Sequence, residues 1–182
     1  MKIETIIAIV SAAIAFVTSI ANLIYNIIQR RKDRTQKVVL DNRIKYLNEI
    51  REGYASFIGL ANFESIKYAQ NNIELMKIYF EKLLLGYGKI RTYLKPYYKI
   101  EKELLDTLDE LYYCVLTVLN GKEVSKEFIA KLRDDFADQY LKYDWAYWKY
   151  IQRQKEGNFM DSDDDFDKVY NDLVEKINNN QL

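Results

Sequence analysis

Residues 87–99, YGKIRTYLKPYYK, set four cations, Lys89, Arg91, Lys95 and Lys99, among Tyr87, Tyr93, Tyr97 and Tyr98. Cations beside aromatic faces suit a phosphate-bearing ligand, because charge meets the phosphate and a π-surface meets a base. Anionic lipid headgroups fit the same residues, each Lys or Arg near a membrane surface contributing about 1 kcal/mol. A bundle end with its tyrosines packed inward is the structural alternative. Lys89, Arg91, Tyr93, Lys95, Tyr97, Tyr98 and Lys99 are the candidate phosphate or headgroup residues.

Asp161, Asp163 and Asp165 alternate as in a calcium loop, with Asp172 at the twelfth place. Phe166 stands where such a loop requires Gly, and Asp172 is shorter than the usual bidentate Glu. An acidic helix start explains these residues better, and no metal site is expected. Tyr140, Tyr143, Trp145, Tyr147, Trp148 and Tyr150 surround their helix rather than line one face. Some of them need cover from another element, another subunit or the bilayer interface, which makes Trp145, Trp148 and Tyr150 the candidate partner patch. Burial under a C-terminal helix is the alternative. Asp134 with Asp138, and Glu49 with Glu52, lie at helix-neighbour spacing beside Lys131, Arg133 or Arg51, and read as solvated ion-pair faces.

The chain contains no His, which removes Ser-His and Cys-His catalysis, the Glu-x-x-His sites of di-iron bundles and the ordinary zinc sets. With no other catalytic signature, neither enzymatic activity nor a cofactor is expected. Cys114, the single cysteine, lies among Leu111, Tyr112, Val115 and Val118 and reads as a small core residue in a reducing compartment. Formal net charge is zero, yet residues 30–100 carry 15 Lys and Arg against 7 Asp and Glu, and residues 101–182 carry 11 against 19. Two halves of one domain facing each other is the preferred explanation of that asymmetry.

Six Gly and one Pro leave little turn material for a β-rich or α/β fold, so the expected class is all-α. From residue 29 to about 64 an amphipathic stripe runs unbroken through Leu40, Ile44, Leu47, Ile50, Tyr54, Phe57, Ile58 and Ala61. Gly53 and Gly59 point to a close helix contact or an early stop near Gly59, each lowering helix propensity by about 1 kcal/mol relative to Ala. Asn71-Asn72 supplies a turn and cap, and a second helix ends at Pro96, with Gly86-Tyr87-Gly88 as a potential kink. A third helix to Asn120 buries Ile100, Leu104, Leu108, Leu111, Val115, Val118 and Leu119, with Gly121 at the C′ position. Ser125 caps a fourth, which stops at Gly157, and a short helix carrying Phe166, Val169, Tyr170, Leu173 and Ile177 on one face follows. Short connections imply antiparallel neighbours, hence an up-down-up-down four-helix bundle with a short fifth helix packed on it.

Ahead of that bundle, residues 5–29 form a 25-residue run with no charged side chain, Pro or Gly. As a helix it reaches about 37 Å, more than the ~30 Å of a bilayer's hydrocarbon core. Ala13-Ile14-Ala15 looks like a signal-peptide cleavage site, but the positive charge ahead of it is Lys2 alone, offset by Glu4, so a retained anchor fits better. Arg30, Arg31, Lys32 and Arg34 follow at once and place the C-terminal side in the cytoplasm, with the N-terminus outside. The expected organisation is a transmembrane anchor at 1–29 continuing directly into a cytosolic bundle at 30–157, then an acidic segment and short helix at 158–182. At 100° per residue, Ala8, Ser11, Ala12, Ala15, Ser19, Asn22 and Asn26 share one stripe of the anchor. Small residues let a second helix approach and the amides bond across the pair, so the stripe is the expected surface for self-association. Several copies turning it inward around water would form a narrow pore.

A single N-terminal anchor on a cytosolic helical bundle resembles the plan of many small bacterial membrane proteins, including toxins and effectors of phage-defence loci. The likeness is architectural and carries no residues over. It implies a non-enzymatic, homo-oligomeric inner-membrane protein whose bundle senses or recruits a partner, with the membrane and further copies of the chain as partners. The alternative is a membrane-tethered scaffold or a nucleotide- or anionic-lipid-binding module using residues 87–99. Nucleic acid is not an expected partner.

Overall fold

The computed structural model describes residues 3–96, 98–155 and 163–179, with side chains placed for 11, 14–31, 33, 34, 36–96, 98–154, 166–177 and 179. Among the described residues there are six α-helices and no strand: α1 Ile3–Ile58, α2 Phe63–Gln70, α3 Ile73–Tyr93, α4 Lys99–Leu119, α5 Lys126–Lys155 and α6 Asp163–Asn178. The chain divides into two compact units, Met1–Asn42 and Arg43–Leu182.

In the first unit the chain is helical from Ile3 onward. The hydroxyls of Thr18 and Ser19 donate to the carbonyls of Ile14 and Ala15, at 2.9 and 2.8 Å, so each is satisfied inside its own helix. Among the described residues no helix is long and apolar enough to cross a membrane, so the expected transmembrane helix finds no support there. Ala8, Ala12 and Lys32 have side chains outside the described residues.

The second unit is built on four antiparallel helices. The end of α1 lies against α3, where Gly53 faces Ile90 and Gly86 faces Phe57. The same stretch of α1 lies against α5, where the rings of Tyr54 and Tyr140 stack at 3.7 Å and Phe57 meets Phe136 edge-on at 6.0 Å. On the other side α4 meets α5 through Thr107 and Gln139 (2.8 Å), and meets α3 through the stacked rings of Tyr87 and Tyr112 (4.0 Å). Thus α1 and α4 each touch both α3 and α5, the expected up-down-up-down arrangement. Ile50, Phe57, Leu83, Leu108, Phe136 and Tyr143 are fully buried between them. Burying a side chain of this size contributes about 1.5–3 kcal/mol.

Local signals set the helix ends. The Asn62 and Asn72 side chains accept backbone N–H bonds from Ser65 (2.9 Å) and Glu74 (2.7 Å) and open α2 and α3, and Ser125 does the same for Phe128 at the start of α5 (3.1 Å). At the end of α4, Gly121 has φ of +80°, its N–H bonds to Val118 O, and Lys122 N–H reaches back to Thr117 O. This double return is the Schellman motif, which needs a left-handed residue.

The first helix stops at Ile58, the early stop expected near Gly59: the N–H groups of Leu60 and Ala61 both return to Phe57 O, and a separate α2 follows before residue 64. One expectation needs correction. Gly86 does not kink its helix, since α3 is continuous from Ile73 to Tyr93. Its missing side chain serves an approach instead, because a Cβ there would lie 2.9 Å from the backbone nitrogen of Phe57.

Gly86 and Gly88 sit two residues apart in one helix, and a Cβ on Gly88 meets nothing within 4 Å. Gly86→Ala is expected to destabilise the protein by about 1–3 kcal/mol through overpacking. Gly88→Ala is expected to stabilise it by roughly 0.5–1 kcal/mol through helix propensity. Thermal unfolding of the two variants checks both signs; a shift of the same sign in both removes the close-approach account.

A buried carboxylate at the centre of the candidate functional site

In the first turn of α4, Glu101 is only 4 % exposed. Burying a carboxylate is expensive unless its oxygens find donors, and three are in place. Oε1 accepts from the hydroxyls of Tyr143 on α5 (2.9 Å) and Tyr46 on α1 (3.1 Å), and Oε2 accepts the backbone N–H of Lys95 (2.6 Å). Lys95 directly precedes Pro96, which has no N–H of its own, in the turn joining α3 to α4. One side chain therefore joins α1, α4, α5 and the turn between α3 and α4.

Burial pushes the Glu101 carboxyl above the usual carboxylate range, opposed by the Lys95 N–H and the two tyrosine hydroxyls. Tyr46 and Tyr143 are both pushed up, first by burial and next by the nearby Glu101 charge. Around this point Tyr46 stacks on Tyr147 at 5.4 Å and meets Tyr93 edge-on at 5.8 Å. From α6, Phe166 packs against Tyr143, Tyr147 and Tyr150 at 5.6, 5.4 and 5.8 Å. The Arg43 guanidinium lies 5.0 Å from the centre of the Tyr150 ring, and its Nη1 is buried without a hydrogen-bond partner among the described residues. The arrangement holds a proton-binding group away from solvent and ties its charge to the packing of α1, α4 and α5 and to the α3–α4 turn.

The basic-aromatic stretch does not converge on one ligand. Lys89 turns toward α1 and is held by Glu49 at 2.9 Å and by Glu52, while Arg91 turns toward α4 and is held by Asp109. Tyr87 donates to the same Asp109 (2.9 Å), and its hydroxyl rises to about 12, first through burial and then through that bond. Tyr93 is the edge contact of Tyr46, Lys95 extends over the Tyr98 ring at 5.5 Å, and Lys99 is exposed. Tyr97 lies outside the described residues. Two of the four cations thus already have carboxylate partners, on different sides of α3.

The proposed aromatic patch is also divided. Tyr150 is 7 % exposed, covered by α6, so it is not a surface residue. Trp148 is half-buried beneath the Arg51 guanidinium at 5.8 Å, and Arg51 in turn makes a two-pronged bond to Asp144 at 2.6 and 2.9 Å. Of the three, Trp145 alone is exposed. The carboxylate pairs are ion-paired, although Glu49 and Glu52 meet Lys89 rather than Arg51, and Asp138 meets Lys142 (2.6 Å). The side chains of Asp161, Asp163 and Asp165 lie outside the described residues, among which no cluster of metal-ligating groups occurs. Sequence reasoning missed Glu101. Its signal was present: it shares a face with Leu104, Leu105 and Leu108, a carboxylate on the most apolar helix side.

Fold and site together define an all-helical bundle organised on a buried acid. Comparison with known protein families, curated proteins and solved structures finds no match.

Glu101→Gln replaces one acceptor oxygen by an NH2 group, which leaves either the Lys95 N–H or the two hydroxyls without their acceptor, at a cost of about 1–3 kcal/mol. Because the folded-state value of Glu101 is raised, its protonation favours the folded state at low pH, and that contribution is lost as pH rises from the unfolded value near ~4.3 through the folded one. The stability difference between wild type and Glu101→Gln is therefore expected to shrink with rising pH across that window. Denaturant melts of both chains from pH 4 upward measure it, and a difference that grows with pH overturns the assignment.

Proposed function

We propose that the chain is a non-enzymatic, homo-oligomeric protein anchored once in a bacterial inner membrane by residues 5–29, with the unit Arg43–Leu182 on the cytoplasmic side as a sensing or recruiting bundle. One observation carries this reading. Along α1 the side chains of Ile14, Phe16, Val17, Ile20, Leu23, Ile24, Tyr25, Ile27 and Ile28 are all exposed, from 41 % at Ile20 to 67 % at Phe16. At 100° per residue they occupy an arc of roughly 200°. An exposed apolar surface of that breadth needs an apolar environment, and hydrocarbon supplies one. The length of the uncharged run and the cations of Arg30, Arg31, Lys32 and Arg34 give the same reading its span and direction.

The remaining arc is Ser11, Ala15, Ser19, Asn22 and Asn26, also exposed. Interhelical polar contacts of this kind contribute about 0.6–2 kcal/mol each, so two amides per helix favour assembly. The effector form of the proposal, of the toxin or phage-defence type, has the assembled stripe admit ions when triggered. The alternative, a tethered scaffold or phosphate-binding module working through residues 87–99, has less support because Lys89 and Arg91 are already paired.

The expected outcome is that the full chain sediments with membranes, leaves them only with detergent and forms particles of several copies. Asn22→Leu with Asn26→Leu should weaken association by about ten-fold or more and lower the particle mass. In the effector form the same variant abolishes depolarisation of expressing cells. A chain that stays soluble without detergent refutes the anchor, and an unchanged mass in the variant refutes assembly through the stripe.

A further inference from the structure

In the second unit Arg51, Lys89, Arg91, Lys102, Lys126, Arg133 and Lys142 are each bound to a carboxylate. The groove between α5 and α6 differs. Trp145, Lys149, Gln152 and Arg153 line one wall and Val169, Asp172, Leu173 and Lys176 the other, around a volume of about 400 Å³. Their spacings, four, seven and eight residues on α5 and three, four and seven on α6, put each set on a single helical face. Among the described residues, Lys149, Arg153 and Lys176 make no ion pair, although Asp172 lines the same groove. The ammonium of Lys149 lies 5.6 Å from the centre of the Trp145 ring, and Trp145 is 36 % exposed.

We propose that this groove binds a phosphate-bearing ligand. Three cations without carboxylate partners provide the charge, and the Trp145 indole with Val169 and Leu173 provides an apolar wall beside it. A volume of this size falls within the range of small-molecule sites. The phosphate belongs either to a free nucleotide, whose base lies along the indole and the aliphatic wall, or to a lipid headgroup. The chemistry sought in residues 87–99 is thus assembled elsewhere, by two helices adjacent in sequence. The site does not depend on the membrane reading, since every residue in it belongs to the unit Arg43–Leu182.

Trp145 is one of two tryptophans, so the full-length Trp148→Phe chain, in detergent or reconstituted, carries a single reporter inside the groove. Titration with ATP, with inorganic pyrophosphate, and with phosphatidylglycerol or phosphatidylcholine vesicles is expected to give a saturable change in Trp145 emission with the phosphate-rich probes. Lys149→Ala with Arg153→Ala should weaken that binding by about ten-fold or more, and circular dichroism checks that the fold is kept. A response to ATP and pyrophosphate assigns the free ligand, and a response to phosphatidylglycerol but not phosphatidylcholine assigns the headgroup. Either supports the proposal. No saturable response to any probe, or affinities unchanged in the folded double variant, overturns it. Lys89→Ala serves as a control and should leave the affinity as in wild type.

Discussion

Glu101 is the point on which the bundle depends. Removing a carboxylate from water costs several kcal/mol after relaxation, and only well-placed donors offset it. Its three come from α1, from α5 and from the backbone of the α3–α4 turn, and a shift of any of these parts along its neighbour breaks a bond to the buried carboxylate. Apolar packing tolerates small slips, since one leucine contact resembles the next, whereas a hydrogen-bonded carboxylate does not. The acid thus sets register among helices whose hydrophobic stripes alone would accept several. The surrounding tyrosines follow from the same need, because a ring can be buried like Phe while its hydroxyl serves as a donor.

A second constraint acts further along α1, where it meets α3. Gly53 lies close to the backbone and side chain of Ile90, and Gly86 lies close to the backbone of Phe57, so each helix gives up a side chain where the other comes nearest. Close approach brings Glu49 and Glu52 within reach of Lys89. On the α5 side Arg51 reaches Asp144, and across the bundle Arg91 reaches Asp109. The latter two pairs join the basic half of the sequence to the acidic half. Their individual contributions are small where they face solvent, but they account for part of the charge asymmetry without an external partner.

Much of this was legible in the residues, and the rest fails for identifiable reasons. The stripe of α4 is strict, with Leu104, Leu108, Leu111 and Val115 at helical spacing, and its end is marked by the one residue type that tolerates a positive φ, Gly121. Asn72, Ser125 and Pro96 act through neighbours within three residues, which a sequence displays directly. The break at Gly59 was half visible; Asn62 as a second cap was hidden because Ala61 continues the apolar stripe across it. At Gly86 a missing Cβ looks the same in sequence whether it permits a bend or an approach. Spacing within residues 87–99 leaves both a ligand site and a bundle end open, because the carboxylates that pair Lys89 and Arg91, namely Glu49, Glu52 and Asp109, lie on other helices. Tyr150 shows the same limit: spacing leaves open both a partner-facing position and burial under a C-terminal helix, and Phe166 on α6 supplies the cover.

The asparagines of the chain stand in two different situations. Asn62 and Asn72 sit at helix starts, where backbone N–H groups have no carbonyl one turn earlier, and their side chains fill that gap. Asn22 and Asn26 sit inside α1, where backbone donors and acceptors are already joined by the helix. Ser19 and Thr18 can return their hydroxyls to the carbonyl four residues back, one donor to one acceptor. An amide has two N–H donors and an acceptor oxygen, and a helix interior cannot satisfy all of them. In water nothing further is needed. In hydrocarbon the unpaired groups cost several kcal/mol, and the nearest remedy is an identical amide on a neighbouring helix. The small residues Ser11, Ala15 and Ser19 on the same stripe are what would allow that neighbour close enough. The case for assembly therefore rests on the solvent around α1: the same two side chains that are inert in water become the strongest reason for two copies to meet once the segment is surrounded by lipid.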